Sequence, residues 1–302
     1  MLFTLLHTND CHNGLKSGQA ELLRHLRLAI DGRGLLLDAG DAVASGNITF
    51  HFAGEPILDA MSDIGYDAMT VGNREFHFTR RGFQCKLSQA RFPILCANLR
   101  STRWSRDSTF DCFSTKELPT VPYIIRAMNN GFRIAVMGLT VPMITQNMLV
   151  RRAASYLFDD PIETAARLAP EIRAACRPDI LIALTHIGIQ QDRKLAAAVP
   201  EIDMIIGGHS HDVLEHGERV GDTLIVQAGS HSHFVGRVDI HLTNPIKKPI
   251  HSVMNILSEA SLPDTPGLKK YDFVPSLIPL PANPAEADID ALIRLMEGPI
   301  TL

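Results

Sequence analysis

The sequence has no excess of positive charge and no long apolar run. Its 302 residues include 29 lysines and arginines against 33 aspartates and glutamates, which gives a formal net charge of −4. This balance disfavours a nucleic-acid scaffold, because such proteins bind through many cationic phosphate contacts. No apolar stretch reaches the roughly 18 residues that a membrane span requires. We therefore expect neither a nucleic-acid nor a membrane partner.

Paired cysteines and a secretory signal are also missing. The five cysteines are odd in number, widely spaced and without a CxxC pair, so they predict neither a disulfide framework nor a zinc ribbon. The opening residues, MLFTLLHTND, lack the charged start, apolar stretch and cleavage site of a signal peptide. These features predict a cytoplasmic protein. Histidine, in contrast, occurs 13 times, and several of these residues stand beside Asp, Asn or Gly.

Short β-branched runs alternate with helical patterns over the first two thirds of the chain, which predicts an α/β protein. A helix is expected over Pro56–Ile64, and the apolar run Asp179–Thr185 is typical of a strand buried on both faces. After Leu262 the sequence becomes proline-rich, and we expect a surface strap over Pro263–Pro284 followed by a helix over Ala285–Met296. This pattern predicts one main domain over residues 1–262, on which residues 263–302 pack.

Carboxylate, amide and imidazole side chains directly follow five predicted strands. One such segment alone is usually a cap or a turn, but ligand sites of α/β sheets form at the carboxyl ends of strands. The five segments therefore predict one shared site. Their mixture of oxygen and imidazole ligands suits zinc and first-row divalent metals rather than magnesium or calcium. The segments are Asp10-Cys11-His12, Gly40-Asp41, Gly72-Asn73, Thr185-His186 and Gly208-His209-Ser210-His211.

The motifs in this order resemble a known family. HTNDCHN, DAGDAVASGN, VGNREF, LTHIG and IIGGHSH, followed by VQAGSHSHFVGRVDI, are similar to the calcineurin-like metallophosphoesterases, and more narrowly to the catalytic domain of the 5′-nucleotidase branch. The resemblance runs from Leu2 to about Ile240. It implies an α/β fold in four layers, α/β/β/α, with two mixed sheets flanked by helices.

The resemblance also implies a dinuclear site for two divalent metal ions, which could be manganese, zinc, iron, nickel or cobalt. The implied reaction is hydrolysis of a small phosphoric ester or anhydride, in which a metal-bridged hydroxide attacks phosphorus in line and no protein nucleophile is needed. The ligands implied for one ion are Asp10, His12 and His211, those for the other are Asn73, His186 and His209, and Asp41 would bridge both.

The chain departs from the family at the catalytic pair. Where the family has Asn-His-Glu-Phe-Asp, this sequence has Asn73-Arg74-Glu75-Phe76-His77. Arg74 can hold a substrate anion, but with a pKa above about 12 it cannot deliver a proton. It could instead form a surface ion pair or block the site. His77 could supply a titratable group, or it could be a packed histidine.

Two further residues are candidates for substrate contact. Asn98, in LCANL, follows a predicted strand and either faces the substrate or caps the next segment. His231, in GSHSH, either faces the substrate or is structural. The segment RSTRWSRD, which holds the only tryptophan, is either an anion and stacking patch or a solvated loop.

The sequence leaves more than one function open. It ends where the 5′-nucleotidase branch usually continues into a nucleobase-stacking domain, so we expect no such domain and no inherited nucleotide preference. Because the catalytic pair is replaced, the protein could also be a metal-binding sensor or partner-binding module with little turnover. A hydrolase of another oxyanion, such as a sulfur oxyanion, would equally suit an arginine and two metals.

Overall fold

Strands and helices alternate along most of the chain in the computed structural model, which describes residues 2–102, 118–128, 131–242 and 271–281. In chain order the elements are β1 (Leu2–Thr8), α1 (Ser17–Ala29), β2 (Gly34–Asp38), α2 (Pro56–Ile64), β3 (Ala68–Thr70), α3 (Arg80–Leu87), β4 (Ile94–Leu95), β5 (Leu99–Ser101), β6 (Tyr123–Ala127), β7 (Arg133–Thr140), a 3-10 helix (Leu149–Arg152), β8 (Tyr156–Phe158), α4 (Pro161–Cys176), β9 (Ile180–His186), α5 (Ile189–Ala198), β10 (Met204–Ile206), β11 (Glu218–Val220), β12 (Thr223–Val226), β13 (Phe234–Leu242) and β14 (Tyr271–Pro279).

The strands form two six-stranded mixed sheets and one small two-stranded sheet. The first sheet has the order β14-β13-β1-β2-β3-β4, and the second has the order β11-β12-β10-β9-β7-β6. Strands β1 to β4 are parallel, as are β12, β10, β9 and β7, whereas antiparallel strands lie at the edges. The carboxyl ends of each parallel group therefore lie at one edge of its sheet. Strands β5 and β8 pair separately.

Three apolar cores separate four layers. Between the sheets, Leu37 of β2 packs in the same core as Val136 of β7 and Ile182 of β9. Helices α1 to α3 cover the outer face of the first sheet, and α4 and α5 cover that of the second. This arrangement confirms the α/β/β/α sandwich that the resemblance implied. In the described part of the chain, no helix is long and apolar enough to cross a membrane.

Local sequence signals set the limits of helices α2 and α4. Helix α2 begins with Pro56 and ends at Gly65, whose φ of 93° is left-handed. Helix α4 begins with Pro161, and the Asp160 carboxylate caps it by accepting hydrogen bonds from two backbone N–H groups. The helix predicted over Pro56–Ile64 is thus confirmed with its predicted bounds.

The proline-rich segment differs from its prediction. Residues Tyr271–Pro279, expected as part of a surface strap, form β14, which pairs antiparallel with β13 at the edge of the first sheet. Pro275 and Pro279 are tolerated there because an edge strand does not need every backbone N–H for pairing. The predicted helix Ala285–Met296 lies outside the described residues, and the division at residue 262 stays a prediction.

The two sheets approach each other closely at Gly138 of β7. The backbone N–H of Ala97 donates to the Gly138 carbonyl at 2.7 Å. A Cβ atom at position 138 would lie 2.4 Å from Cβ of Leu95 and 2.6 Å from the Leu95 carbonyl carbon. Because backbone atoms cannot move aside cheaply, only glycine fits at this junction.

We expect Gly138→Ala to destabilise the protein by about 1 to 3 kcal/mol through overpacking. Thermal unfolding would show a drop in Tm of about 2 to 4 °C for each kcal/mol of destabilisation. Gly46→Ala is the matched control, because no atom lies within 4 Å of a Cβ at position 46. Equal Tm values for the two variants would show that the sheet junction is not tightly packed.

Candidate metal centre

The loops that follow the parallel strands carry an unusual backbone conformation. Nine non-glycine residues among those described have a positive φ, and all but Arg177 lie in these loops. Such conformations are costly for residues with a Cβ and concentrate at functional sites. The eight loop residues are Asp10, His12, Asn13, Asp41, His209, His211, His231 and Ser232.

The first group of potential ligands consists of Asp10, His12 and His211. The Nε2 atoms of the two histidines lie 3.0 Å apart, at 3.8 Å and 3.3 Å from Oδ1 of Asp10. This carboxylate oxygen is buried and accepts no hydrogen bond from the described residues. A buried oxygen without a donor, facing two ring nitrogens, is an arrangement that a divalent cation satisfies.

Asn9 orients the Asp10 carboxylate. Its Nδ2 donates to Oδ2 of Asp10 at 2.9 Å and to the Gly229 carbonyl, while its Oδ1 accepts from the Ala228 N–H at 2.8 Å. The backbone N–H of His209 also donates to Oδ2 of Asp10, at 2.9 Å. With Oδ2 engaged, Oδ1 is left for the metal centre. Asn9 was not among the predicted site residues. The signal that could have identified it is its position directly before Asp10.

The second group brings together Asp41, Asn73, His186 and His209. Oδ1 of Asn73 lies 3.2 Å from Nε2 of His186 and 3.0 Å from Nδ1 of His209, and Nε2 of His186 lies 3.4 Å from Oδ1 of Asp41. Nδ1 of His186 donates to the Ala39 carbonyl at 2.8 Å. This hydrogen bond fixes the ring so that Nε2 points toward the other ligands.

The pKa values show what a cation would replace. Burial alone would lower the pKa of His186, but the hydrogen bond and charge of Asp41 outweigh burial and raise it to about 9. Burial lowers the pKa of His12 to about 4, so its ring is neutral at neutral pH. The proton on His186 thus lies where positive charge is needed, and a bound metal would displace it. Both groups fit divalent cations.

Asp10 takes part in both groups. Its carboxylate lies within 4.8 Å of the ligand atoms of His12 and His211, and also of those of Asp41 and His186. The structure therefore brings all seven residues of the implied ligand set to one place. That Asp41 bridges two ions stays a prediction, and Asp10 is a second carboxylate between the groups.

Glu75 holds two loops of this centre in place, and it was also not among the predicted site residues. Its buried carboxylate accepts hydrogen bonds from the backbone N–H groups of Asp41, Val43 and Gly72, at 2.9, 3.0 and 2.7 Å. Burial, with the nearby Asp41 charge, raises the pKa of Glu75 to about 7. Glu75 thus fixes the loop that carries Asp41 relative to the loop that carries Asn73.

Arg74 lies beside the Asp41 carboxylate. Its backbone N–H donates to Oδ1 of Asp41 at 2.7 Å, its Nε lies 3.6 Å from Oδ2 of Asp41, and its Nη1 donates to the Ala44 carbonyl at 2.9 Å. The side chain is 39% exposed. A cationic group that is open to solvent therefore stands at the edge of the metal centre.

The contacts of His77 favour the packed histidine over a catalytic one. Nδ1 of His77 accepts from the N–H of Thr79 at 3.1 Å, and Nε2 donates to the Ile48 carbonyl at 3.1 Å. The ring is 3% exposed and stacks on Phe78 with centroids 4.8 Å apart. Both ring nitrogens are engaged in hydrogen bonds within the fold, and a catalytic role of His77 stays an untested prediction.

Asn98 is likewise engaged by the backbone. Its Nδ2 donates to the carbonyls of Thr140 and Asp159 at 2.8 and 3.1 Å, and its Oδ1 accepts from the Thr140 N–H at 3.1 Å. These bonds join the ends of β7 and β8, which favours the structural alternative over substrate contact. Trp104 and the rest of its arginine-rich segment from residue 103 lie outside the described residues.

His231 does reach the centre. Its backbone N–H donates to the Asp10 carbonyl at 2.8 Å. The ring centroid lies 5.0 Å from that of His12 and 6.1 Å from that of His211. The imidazole therefore borders the first ligand group.

A four-layer sandwich with carboxylate, amide and imidazole ligands at its strand ends defines the class of α/β/β/α metal-dependent hydrolases. The calcineurin-like phosphoesterase family matches residues 3–213, and the chain belongs to this family. Within this family the chain is similar to 5′-nucleotidases.

Known relatives are similar over most of this chain. The trifunctional nucleotide phosphoesterase protein YfkN of Bacillus subtilis is 33% identical over 264 residues, covering 78% of this chain and 18% of that protein. The 5′-nucleotidase of Vibrio cholerae is 32% identical over 282 residues, covering 80% and 49%. The crystal structure of a 5′-nucleotidase precursor from Thermus thermophilus has the same fold, with a TM-score of 0.68 at 22% identity, covering 98% of this chain and 58% of that one. The chain thus spans about half or less of these curated relatives.

We expect chelation of divalent metals to lower the Tm. Cations that bind only the folded state stabilise it, by about 2.7 kcal/mol at a concentration 100 times the Kd. Differential scanning fluorimetry of metal-loaded and chelated protein measures the shift. Asp41→Asn should abolish it, whereas Asp31→Asn, at an exposed position, should retain it. An unchanged Tm after metal loss is verified by elemental analysis would argue against a structural contribution from the centre.

Proposed function

We propose that this protein hydrolyses small phosphoric esters or anhydrides with the aid of two divalent cations. The observation that supports this most directly is the convergence of two ligand groups on the buried Asp10 carboxylate. One cation would be held by Asp10, His12 and His211, the other by Asn73, His186 and His209, with Asp41 between them. The nitrogen and oxygen donors favour manganese, zinc, iron, nickel or cobalt.

The chain itself contributes positioning and charge. A pair of such cations would supply Lewis acidity toward phosphoryl oxygens. It would also lower the pKa of a water, so that hydroxide is available to attack phosphorus near neutral pH. Arg74 would donate hydrogen bonds to a non-bridging phosphate oxygen, because its exposed guanidinium lies beside Asp41. His231, next to His12, would contact the same anion from the opposite ligand group.

No proton donor stands at position 74. An arginine keeps its protons at all ordinary pH values, and His77 is engaged by the Ile48 carbonyl and by Thr79. A leaving group of low acidity, such as a ribose 5′-alkoxide, would then depart without protonation by these residues. An aryl oxide or a phosphate needs no such help, because its conjugate acid is already strong.

Aryl phosphates and phosphoanhydrides are therefore expected to be much better substrates than nucleoside 5′-monophosphates. A missing general acid costs about 100- to 10,000-fold, and the loss should fall mainly on poor leaving groups. Steady-state kinetics with 4-nitrophenyl phosphate, pyrophosphate and AMP, run with metal added back to chelated protein, measure this preference. Equal kcat/KM values for AMP and the aryl ester would show that another residue donates the proton.

Replacement of Arg74 tests its role as an anion clamp. Arg74→Ala is expected to raise KM for 4-nitrophenyl phosphate and the inhibition constant of inorganic phosphate by about tenfold or more, the value of a charged hydrogen bond. Arg74→Lys should recover part of the loss because the charge remains. Metal content is measured in parallel. Unchanged or higher activity of Arg74→Ala would mean that the arginine only obstructs the site.

A further inference from the structure

The loop between β2 and α2 is held by three side chains from one neighbouring segment. Arg74 Nη1 donates to the carbonyl of Ala44 at 2.9 Å, Lys86 Nζ to that of Gly46 at 2.7 Å, and His77 Nε2 to that of Ile48 at 3.1 Å. Every second carbonyl of residues 44–48 is thus anchored. Two of the three anchors, Arg74 and His77, stand at the positions where the sequence departs from the family's catalytic pair.

Lys86 strengthens this anchoring. Its side chain is fully buried, and Nζ also donates to the carbonyls of Arg74 and Phe76, at 2.6 and 3.3 Å. The ammonium group therefore ties the loop to the segment that carries Arg74. A buried lysine is costly unless its donors are used in this way, so the contact indicates that the position of the loop matters.

The anchored loop presents apolar side chains to solvent. Ile48 is 79% exposed and Phe52 is 74% exposed. Phe50 connects Phe52 to the interior, because its ring packs edge-on against both Phe52 and His77 with centroids 5.0 Å apart. The guanidinium of Arg81 lies 5.3 Å from the Phe52 ring centroid. Large apolar side chains fixed in an exposed position usually mark a binding surface.

Arg74 links the anchored loop to the metal centre. The guanidinium of Arg74 lies against Asp41 on one side and against Ala44, the first anchored residue, on the other. A phosphate ester whose anion is held at Arg74 therefore lies beside the anchored loop, which Arg74 contacts at Ala44. The planar rings of Phe50 and Phe52 suit a flat aromatic group.

We propose that residues 44–52 form a leaving-group wall that binds the aromatic part of an aryl phosphate ester, and that Arg74, His77 and Lys86 are the residues that position it. This inference rests on the proposed function and names the substrate class of the same site. It also gives the altered pair at positions 74 and 77 a shared task, which is to fix this loop.

Phenyl phosphate and 2-naphthyl phosphate test the wall, because their leaving groups are of similar acidity but differ by one ring. The wild-type protein should prefer the naphthyl ester by about tenfold in kcat/KM, through KM, as expected for added apolar contact. The variants Ile48→Ala and Phe52→Ala should reduce this preference to about twofold or less. Their metal content should match that of the wild type. Leu28→Ala, at a 66% exposed residue of α1, is the matched control and should keep the preference.

Variants of the anchoring residues His77 and Lys86 test whether these residues position the loop. His77→Phe keeps an aromatic ring beside Phe50 and Phe78 but cannot donate to the Ile48 carbonyl, so it should lower the naphthyl preference and speed proteolytic cleavage of the 44–52 loop. Lys86→Met should do the same, and Lys86→Arg should restore part of the preference. If Lys86→Met does not fold, His77→Phe alone tests whether the anchoring residues position the loop. A fall in kcat for phenyl phosphate with an intact naphthyl preference would overturn the positioning role.

Measurements of ligand binding distinguish this inference from the proposed function. Phenylphosphonate and 2-naphthylphosphonate keep the anion but have no ester bond to break, and calorimetry with metal-loaded protein measures their Kd. Tighter binding of the naphthyl compound that is lost in Phe52→Ala supports the wall even if neither ester is hydrolysed, in which case only the proposed function fails. Equal Kd values in the wild type, or a preference that persists in both alanine variants, would overturn the wall.

Discussion

The metal centre is governed by a conflict among acceptor atoms. Oδ1 of Asp10 is buried without a hydrogen-bond donor among the described residues, and Asn73 Oδ1 faces the ring nitrogens of His186 and His209. Oxygens and unprotonated imidazole nitrogens repel one another unless a proton or a cation lies between them. The surrounding loops hold them there at the expense of left-handed backbone at Asp10 and several other non-glycine residues. Strain of this kind persists only when the surrounding structure enforces it, and here backbone donors to Asp10 and Glu75 do so.

A shared site could be predicted from the sequence because the context of its residues is local. A glycine precedes Asp41, Asn73 and His209, and the structure shows why: a Cβ on Gly72 would lie 2.3 Å from the backbone nitrogen of Asp41. Small residues are needed wherever two strand-end loops come this close. The pattern of a strand, a glycine and a polar residue therefore signals a shared site, and the structure brings those residues together.

Other features could not be predicted because they depend on partners far away in the sequence. The contact that favours a packed His77 is with the carbonyl of Ile48, 29 residues earlier, and Asn98 is engaged by Thr140, 42 residues later. Strand β14 was hidden by its prolines, which are compatible with a strand only at a sheet edge. In each case the residue type allows two roles, and tertiary contacts select one of them.

The replaced catalytic pair illustrates how one change can have two consequences. A histidine at position 74 could give up a proton, whereas the guanidinium of Arg74 reaches both the Asp41 carboxylate and the Ala44 carbonyl. The reach and the permanent charge that allow this bridging also exclude proton transfer. Fixing the loop at residue 44 and losing the general acid are therefore physically linked, and both favour the same substrates. An ester with an aromatic leaving group needs no proton donor and gains from an apolar wall beside the anion site.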